Sequence, residues 1–240
     1  MDQITKHVFK LESIPICNVY LLDVEDGYYL VDSGLFGYAE AIRDELEEEG
    51  YPLSNLKGIL HTHGHGDHIG NSPALAEKSG APVMGHEADR PFFQKSPHIP
   101  AKSLFQRTLL RLADRFLFRQ PPLKVDNYLT GGQEMSFSGG WEALHTPGHT
   151  PGSISFYQPE QGVLLCGDAL FNQHPATRVR GLRLPLPLIS VDSRTARASV
   201  QKLAQLDLKI ICPGHGFPLT DNLRKKLEQL LENKTRSKKV

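Results

Sequence analysis

The chain has 240 residues, which is enough for one substantial domain or two small ones. Its 27 basic and 27 acidic residues balance, so the overall charge does not indicate a nucleic acid or an anionic membrane as a partner. No apolar run reaches the roughly 18–20 residues of a membrane span, and the first residues lack the charged start and apolar core of a signal peptide.

The first third of the chain alternates strand-like and helix-like segments. Runs of β-branched and aromatic residues separated by turn formers predict strands over residues 7–11, 17–23 and 28–32. An amphipathic helix is predicted over 38–49, with Ala41, Ile42 and Leu46 on one face and Gly50 as its stop. A strand over 56–60, a helix over 72–78 and a strand over 81–84 follow.

One segment interrupts this alternation. Residues 90–123 contain five prolines around a helix-like core at 103–118, so we expect a helical insertion at about 87–124. The core carries arginines at every fourth position on one face. A lid, a pocket wall, an interface and a simple solvated helix all remain open for it.

The second half repeats the alternation. Strands are predicted over 134–137, 141–144, 153–157, 162–166 and 209–212, and helices over 195–206 and 220–231. Strands in meandering groups followed by helices predict sheets packed face to face with helices outside. The cysteines, Cys17, Cys166 and Cys212, are odd in number and lie in apolar contexts, which predicts buried free thiols and a cytoplasmic location.

The densest polar feature lies between the predicted strand over 56–60 and the predicted helix over 72–78. Residues 61–68 read His-Thr-His-Gly-His-Gly-Asp-His. Imidazole and carboxylate together are ligands for zinc or a similar divalent ion, and the two glycines let the backbone turn tightly. This context indicates a metal site rather than a solvated histidine-rich loop.

Three further polar clusters each follow a strand-like run. They place His149 in a Thr-Pro-Gly-His-Thr-Pro-Gly-Ser segment, Asp168 in Gly-Asp, and His215 in Pro-Gly-His-Gly. In each cluster a glycine adjoins the acid or histidine, which suits a side chain presented from a tight turn at a sheet edge.

The pattern resembles the metallo-β-lactamase fold superfamily. Its His-x-His-x-Asp-His signature fits in one register only, which leaves His61 outside, and the later family positions agree in order and spacing. The resemblance implies a single domain over 1–240 with an α+β fold, a four-layer αβ/βα sandwich of two packed mixed β-sheets flanked by helices. It also implies two divalent metal ions, with zinc as the default and iron or manganese compatible. The matched metal positions are His63, His65, Asp67, His68, His149, Asp168 and His215.

The resemblance also assigns roles to these residues. It makes His63, His65 and His149 the ligands of a first metal. Asp67, His68 and His215 bind the second metal, and Asp168 bridges the two. A metal-bridging hydroxide is then the nucleophile, since bound cations lower the pKa of water towards neutrality. Asp67 is the candidate catalytic residue, because it can also orient that hydroxide.

Several chemistries occur on this fold, so the substrate must be argued from the site. His65 favours hydrolysis, because flavoprotein relatives that bind iron carry an acid there. The motifs around His149 and Asp168 resemble the glyoxalase II-like branch, whose members cleave thioesters, but the chain ends 25 residues after His215, without room for that branch's C-terminal domain. The lactonase branch is similar in size and ligand set, but its usual tyrosine after the bridging aspartate is absent.

We therefore expect a metal-dependent hydrolase of a small ester, thioester or lactone, acting as a monomer or homodimer on a small molecule, with no nucleic acid and no membrane as partner. A phosphodiesterase or RNA-processing nuclease and a β-lactamase-like amidase are the alternatives within the superfamily. A purely structural metal protein is the alternative outside it. Structural zinc sites are usually closed and cysteine-rich, whereas this ligand set leaves room for solvent.

Residues outside the matched metal positions are not expected to bind metal. Asp32, directly after an early strand, could accept a ring N–H from a ligand histidine. His61 and His145 are expected to pack beside the site, and the remaining histidines are expected at the surface or in turns: His7, His86, His98 and His174. Between residues 172 and 191, one of three arginines could bind an anionic group on the substrate, unless this is a solvated basic loop: Arg178, Arg180 and Arg183.

Overall fold

The structure, a computed structural model, describes residues 1–94, 122–135, 137, 139–175 and 177–236. They belong to two compact units, Met1–Thr130 and Gly131–Val240. Each unit contains one mixed β-sheet with its own helices and its own apolar core.

The first unit is built on a seven-stranded sheet whose strands follow chain order. Its strands are β1 (Asp2–Thr5), β2 (Val8–Lys10), β3 (Tyr20–Val24), β4 (Gly27–Val31), β5 (Leu56–Leu60), β6 (Val83–His86) and β7 (Asn127–Leu129). Strands β1 to β4 are antiparallel, whereas β4 to β7 are parallel. The carboxyl ends of β4, β5 and β6 therefore lie at one edge of the sheet, where the histidine motif begins.

Four described helices accompany this sheet: α1 (Ala39–Glu48), α2 (Gly66–Ile69), α3 (Ser72–Ser79) and α4 (Arg90–Gln94). The apolar stripe of α1 buries Ile42 and Leu46 completely in a core that includes Leu30 and Ile59 of the sheet. The predicted helix over 103–118 lies outside the described residues.

The second unit is built on a six-stranded sheet in the order β12-β11-β10-β9-β8, with β13 paired to β11. Its strands are β8 (Gln133–Glu134), β9 (Glu142–His145), β10 (Ile154–Gln158), β11 (Val163–Gln173), β12 (Arg180–Arg183) and β13 (Ile210–His215). All pairs are antiparallel except β11 with β13. The two described helices are α5 (Ser193–Leu203) and α6 (Leu223–Arg236).

Helix α5 begins where its sequence supplies a cap. The side chain of Asp192 accepts hydrogen bonds from the backbone N–H groups of Arg194 and Thr195, which satisfies donors that a helix start leaves open. Val200 and Leu203 on its inner face are buried in the core that also holds Leu164 and Leu170 of β11. This packing fixes the start of α5 relative to the central strand.

The predicted α+β class with two mixed sheets is confirmed. The largest difference concerns β11, which was expected to end at Cys166 but continues to Gln173 as a central strand buried as far as Phe171. Strands β1, β7 and β12 were not predicted, since they are short and carry polar or charged side chains. The three cysteines are free and buried, as predicted, and burial raises the pKa of the Cys166 thiol above its usual range.

Among the described helices, none combines the length and the apolar character needed to cross a membrane.

Candidate metal centre

The first unit gathers four of the predicted ligands in the turn after β5 and in the helix α2 that follows it. His63 and His68 are buried, and their ring centroids lie 4.1 Å apart. The ring of His65 lies 4.8 Å from that of His63, and a carboxylate oxygen of Asp67 lies within 4.8 Å of a ring nitrogen of His68. The motif thus forms one compact group of nitrogen and oxygen donors.

This turn packs too closely on its neighbours for a side chain at position 64. A Cβ on Gly64 would lie 2.5 Å from Cβ of Phe92. The N–H of Gly64 donates to Oδ2 of Asp89 at 2.9 Å, and that carboxylate is completely buried. Asp89, which the sequence did not indicate as a site residue, therefore anchors the backbone between His63 and His65.

Asp32 connects the end of β4 to the histidine motif. It follows β4 in the left-handed conformation (φ 63°), and its N–H donates to the Leu60 carbonyl of β5 at 2.8 Å. Its Oδ2 lies 2.7 Å from Nδ1 of His68, and its carboxylate accepts hydrogen bonds from the N–H and hydroxyl of Thr62 at 2.9 and 2.7 Å. Asp32 therefore contacts His68, one of the predicted ligands, as the sequence suggested.

The carboxyl of Asp32 stays ionised despite its burial. Burial on its own would raise the pKa of this carboxyl, but the imidazoles of His68 and His61 outweigh that effect and hold the pKa below its usual value. Nδ1 of His61 lies 3.5 Å from Oδ1 of Asp32, and Nε2 of His61 lies 2.9 Å from the Ser72 hydroxyl. His61 is thus packed beside the site, as predicted.

The second unit brings the other three predicted ligands together around Asp168. Oδ2 of Asp168 lies 3.2 Å from Nε2 of His149, and its Oδ1 lies 3.4 Å from Nε2 of His215. All three side chains are buried. The carboxylate therefore presents one oxygen to each imidazole.

A strand irregularity positions Asp168. The sequence predicted that this residue would follow a strand, but it lies inside β11, where the pairing with β13 shifts register between Gly167 and Phe171. Such a bulge re-aims a side chain within a strand. His215 is the last residue of β13, and its ring lies 5.0 Å from the Phe171 ring.

His149 lies in a tight turn held by a distant hydroxyl. Gly148 has a φ of 130°, and a Cβ there would lie 2.0 Å from the backbone nitrogen of Ala196 in α5. The Ser190 hydroxyl lies 3.2 Å from Nδ1 of His149 and donates to the Leu186 carbonyl at 2.8 Å. Ser190 is 41 residues from His149 in sequence, so no local pattern could have indicated this contact.

Three of the predicted ligand histidines share one arrangement. Each has an oxygen at Nδ1: Thr62 for His63 at 3.1 Å, Asp32 for His68 and Ser190 for His149. The two hydroxyls already donate to Asp32 and to Leu186, so each accepts a hydrogen bond from the imidazole. A proton held on Nδ1 leaves Nε2 as the ligand atom, which is the usual state of metal-binding histidines. The donor set therefore fits divalent metal ions.

The remaining histidines differ in part from expectation. His145 is exposed, with Nε2 2.8 Å from the Pro151 carbonyl, so the expectation that it packs beside the site is wrong. His86 is buried rather than at the surface and contacts the Thr130 carbonyl at 3.0 Å. His98 lies outside the described residues.

Comparison with known proteins places these observations in a family. The sequence model described as the metallo-beta-lactamase superfamily matches residues 15–215. The chain is 30% identical to the probable metallo-hydrolase YflN of Bacillus subtilis (strain 168), over 91% of this chain and 88% of that protein. It is 29% identical to the hydroxyacylglutathione hydrolase GloC of Haemophilus influenzae (strain ATCC 51907 / DSM 11121 / KW20 / Rd), over 94% and 99% of the two chains.

Solved structures show the same likeness. The metallo-beta-lactamase family protein TTHA1429 from Thermus thermophilus matches with a TM-score of 0.72 and 26% identity, over 98% of this chain and 81% of that one. TTHA1623, solved in a di-iron-bound form, matches with a TM-score of 0.69 and 27% identity, over 91% and 98%.

Proposed function

Since the chain belongs to the metallo-β-lactamase superfamily and is a metal-dependent hydrolase, we propose that it cleaves a small ester, thioester or lactone at a dinuclear metal site. The proposed ligands of the first ion are His63, His65 and His149. Those of the second are Asp67, His68 and His215, and Asp168 bridges the two ions. A cytoplasmic location and a small-molecule substrate, without nucleic acid or membrane as partner, belong to the same proposal.

The position of Asp168 carries this proposal. One of its oxygens faces His149, a proposed ligand of the first ion, and the other faces His215, a proposed ligand of the second. A carboxylate whose two oxygens lie beside two different imidazoles is suited to bridging two cations. The fixed Nδ1 atoms of His63, His68 and His149 support the same assignment.

When bound, two divalent ions supply an activated water at neutral pH and polarise the carbonyl oxygen under attack. The protein residues orient these groups. Asp67 is half-buried on α2, and the Cys17 thiol donates to its backbone carbonyl at 2.6 Å. We assign Asp67 the further role of accepting a hydrogen bond from the attacking water, which aligns that water with the carbonyl carbon.

The similar proteins support the substrate class and the metal count. One relative is named a hydroxyacylglutathione hydrolase, and an acyl group on the glutathione thiol is a thioester. One structural neighbour was solved with two iron ions. Zinc is the proposed default for this chain, and iron is the alternative that the same imidazole and carboxylate donors accommodate.

The test is an activity screen of metal-loaded protein against thioesters, esters, lactones, β-lactams and phosphodiesters, together with elemental analysis. We expect about two metal ions per chain and the highest kcat/KM on one of the first three classes. Asp168→Ala and His149→Ala should abolish turnover in a protein that remains folded. His145→Ala is the matched control, because this exposed imidazole lies four residues before His149, and it should retain wild-type activity.

Three outcomes would contradict the proposal. One is a metal content below one ion per chain after loading. Another is full metal occupancy without hydrolysis of any ester, thioester or lactone. The third is unchanged turnover in a folded Asp168→Ala or His149→Ala variant.

A further inference from the structure

An arginine stacks on an aromatic ring close to the ligand residue His215. Cζ of Arg180 in β12 lies 4.2 Å from the centroid of the Phe217 ring. Both side chains are exposed, with 47% of Phe217 accessible to solvent. A large apolar ring two residues from a buried ligand is in a position to contact substrate rather than to stabilise the core.

The backbone holds this pair firmly in the second sheet. Nδ2 of Asn172 donates to the Phe217 carbonyl at 2.8 Å. A Cβ on Gly216 would lie 2.7 Å from the backbone nitrogen of Gln173, so this stretch lies directly against the end of β11. Gln173 in turn pairs with Arg180 across β11 and β12. Phe217 and Arg180 are therefore both attached to the same end of β11.

The register of the sheet places Arg180 close to His215. Phe171 of β11 pairs with His215 on one side and with Arg183 on the other. Gln173, the partner of Arg180, is two residues further along β11, which corresponds to about 7 Å. The guanidinium of Arg180 is thus within reach of a substrate whose reacting group lies at His215.

The neighbouring arginines differ from Arg180. Arg183 donates to the carbonyls of Gly181 and Val179 at 3.1 and 3.0 Å, so its guanidinium is already engaged. Arg178 is exposed in the turn between β11 and β12 and has no aromatic contact among the described residues. Among those same residues, Arg180 has no carboxylate within 4.0 Å, and Phe217 covers one face of its guanidinium. The N–H edges of a stacked guanidinium match a carboxylate bidentately.

We infer that Arg180, oriented by Phe217, binds a carboxylate on the substrate and so makes this enzyme selective for small anionic esters or thioesters. The inference rests on the proposed function, because it names the substrate class of the same site. Arg180 acts on binding and contacts no reacting bond. Phe217 is a positioning residue that acts through Arg180.

The test compares 4-nitrophenyl hydrogen adipate with its neutral methyl ester, which lacks the distal negative charge and carries one additional methyl group. We expect the wild type to show a KM for the anion about 10-fold or more below that for the methyl ester, the range of one charge-assisted bidentate contact. Arg180→Gln should remove this preference by raising KM for the anion alone, with kcat retained. Phe217→Leu should raise the same KM by a smaller factor, and Phe217→Tyr should restore it. Arg178→Gln, the matched control, should change neither substrate.

Equal KM values for the two esters in the wild type would overturn the inference. An anion preference that survives in Arg180→Gln, or that Arg178→Gln removes equally, would also overturn it.

If the metal-loaded wild type hydrolyses neither ester, the proposed function loses support, and a binding measurement decides the role of Arg180. The probes are then 6-(4-nitrophenoxy)hexanoate, which has no cleavable acyl bond, and its neutral carboxamide, measured by calorimetry. We expect Arg180→Gln to weaken only the hexanoate by about 10-fold, and unchanged binding would refute the inference.

Discussion

A single carboxylate decides which nitrogen His68 can offer to a metal ion. Asp32 keeps the proton of His68 on Nδ1 because its Oδ2 lies 2.7 Å from that atom. We predict that Asp32→Asn lowers zinc affinity by about 10–100-fold, since an amide N–H facing Nδ1 would favour the proton on Nε2 instead. Asparagine tolerates the left-handed backbone at this position, so the variant should fold. Competition with a chromophoric chelator measures the affinity.

The matched control is Asp126→Asn in the same unit. Asp126 also accepts a backbone N–H, that of Val83 at 3.0 Å, but it contacts none of the proposed ligands among the described residues. This variant should bind zinc as the wild type does. Equal zinc affinity in Asp32→Asn and the wild type would show that the orientation of His68 does not depend on this carboxylate.

At the scale of elements, the turn that carries His149 depends on the start of α5. A Cβ at position 148 would overlap the backbone of Ala196, and a φ of 130° is strained for any residue with a side chain. We predict that Gly148→Ala lowers the free energy of unfolding by about 2–5 kcal/mol, from backbone strain and steric overlap together. It should also weaken metal binding, since His149 is the next residue. Urea unfolding and metal titration provide the two measurements.

Gly132→Ala separates backbone strain from steric overlap. Gly132 also has a positive φ, of 73°, but a Cβ there would meet no atom within 4 Å. This control should cost only about 1–2 kcal/mol and leave metal affinity unchanged. If Gly148→Ala proved no more destabilising than Gly132→Ala, close packing against α5 would not be what holds the His149 turn.

The same elements show what the sequence could and could not predict. Helix α1 and strand β5 were predictable because apolar spacing and a glycine stop are local signals. The extension of β11 past Cys166 was not, because Gly167 and Asp168 are typical of a turn and only pairing with β13 keeps them in a strand. Strand β12 is an exposed edge whose polar sequence lacks alternation.

The candidate site divides in a similar way. The seven proposed ligands lie in short motifs whose order matches a family, so the sequence was sufficient to propose them. Of the side chains that fix the histidines at Nδ1, Asp32 was suggested by its place after a strand. Ser190 was not, and neither was Asp89, which accepts the backbone N–H of Gly64, because each meets its partner only through the fold. Supporting contacts between distant segments leave no pattern in the local sequence.

For the whole molecule, the proposed metal site implies that bound metal ions raise the free energy of unfolding. Each unit has its own apolar core. The proposed ligands come from both units, four from the first and three from the second. Ions that bind the folded chain and not the unfolded one stabilise it by mass action, about 2.7 kcal/mol for each site at 100 times its dissociation constant.

We therefore predict that a chelator lowers the Tm of the metal-loaded protein by about 5–10 °C per site at that loading, since 1 kcal/mol shifts Tm by about 2–4 °C in a chain of this size. Differential scanning calorimetry with and without chelator measures the shift. Asp168→Asn should lose most of the shift while its chelated form melts with the chelated wild type, because only the bridging carboxylate is weakened. His145→Ala should keep the full shift. If a protein shown to carry two ions had a Tm that does not respond to chelation, the ions would bind without contributing to folding. The proposed ligand set, which takes residues from both units, would then have to be abandoned.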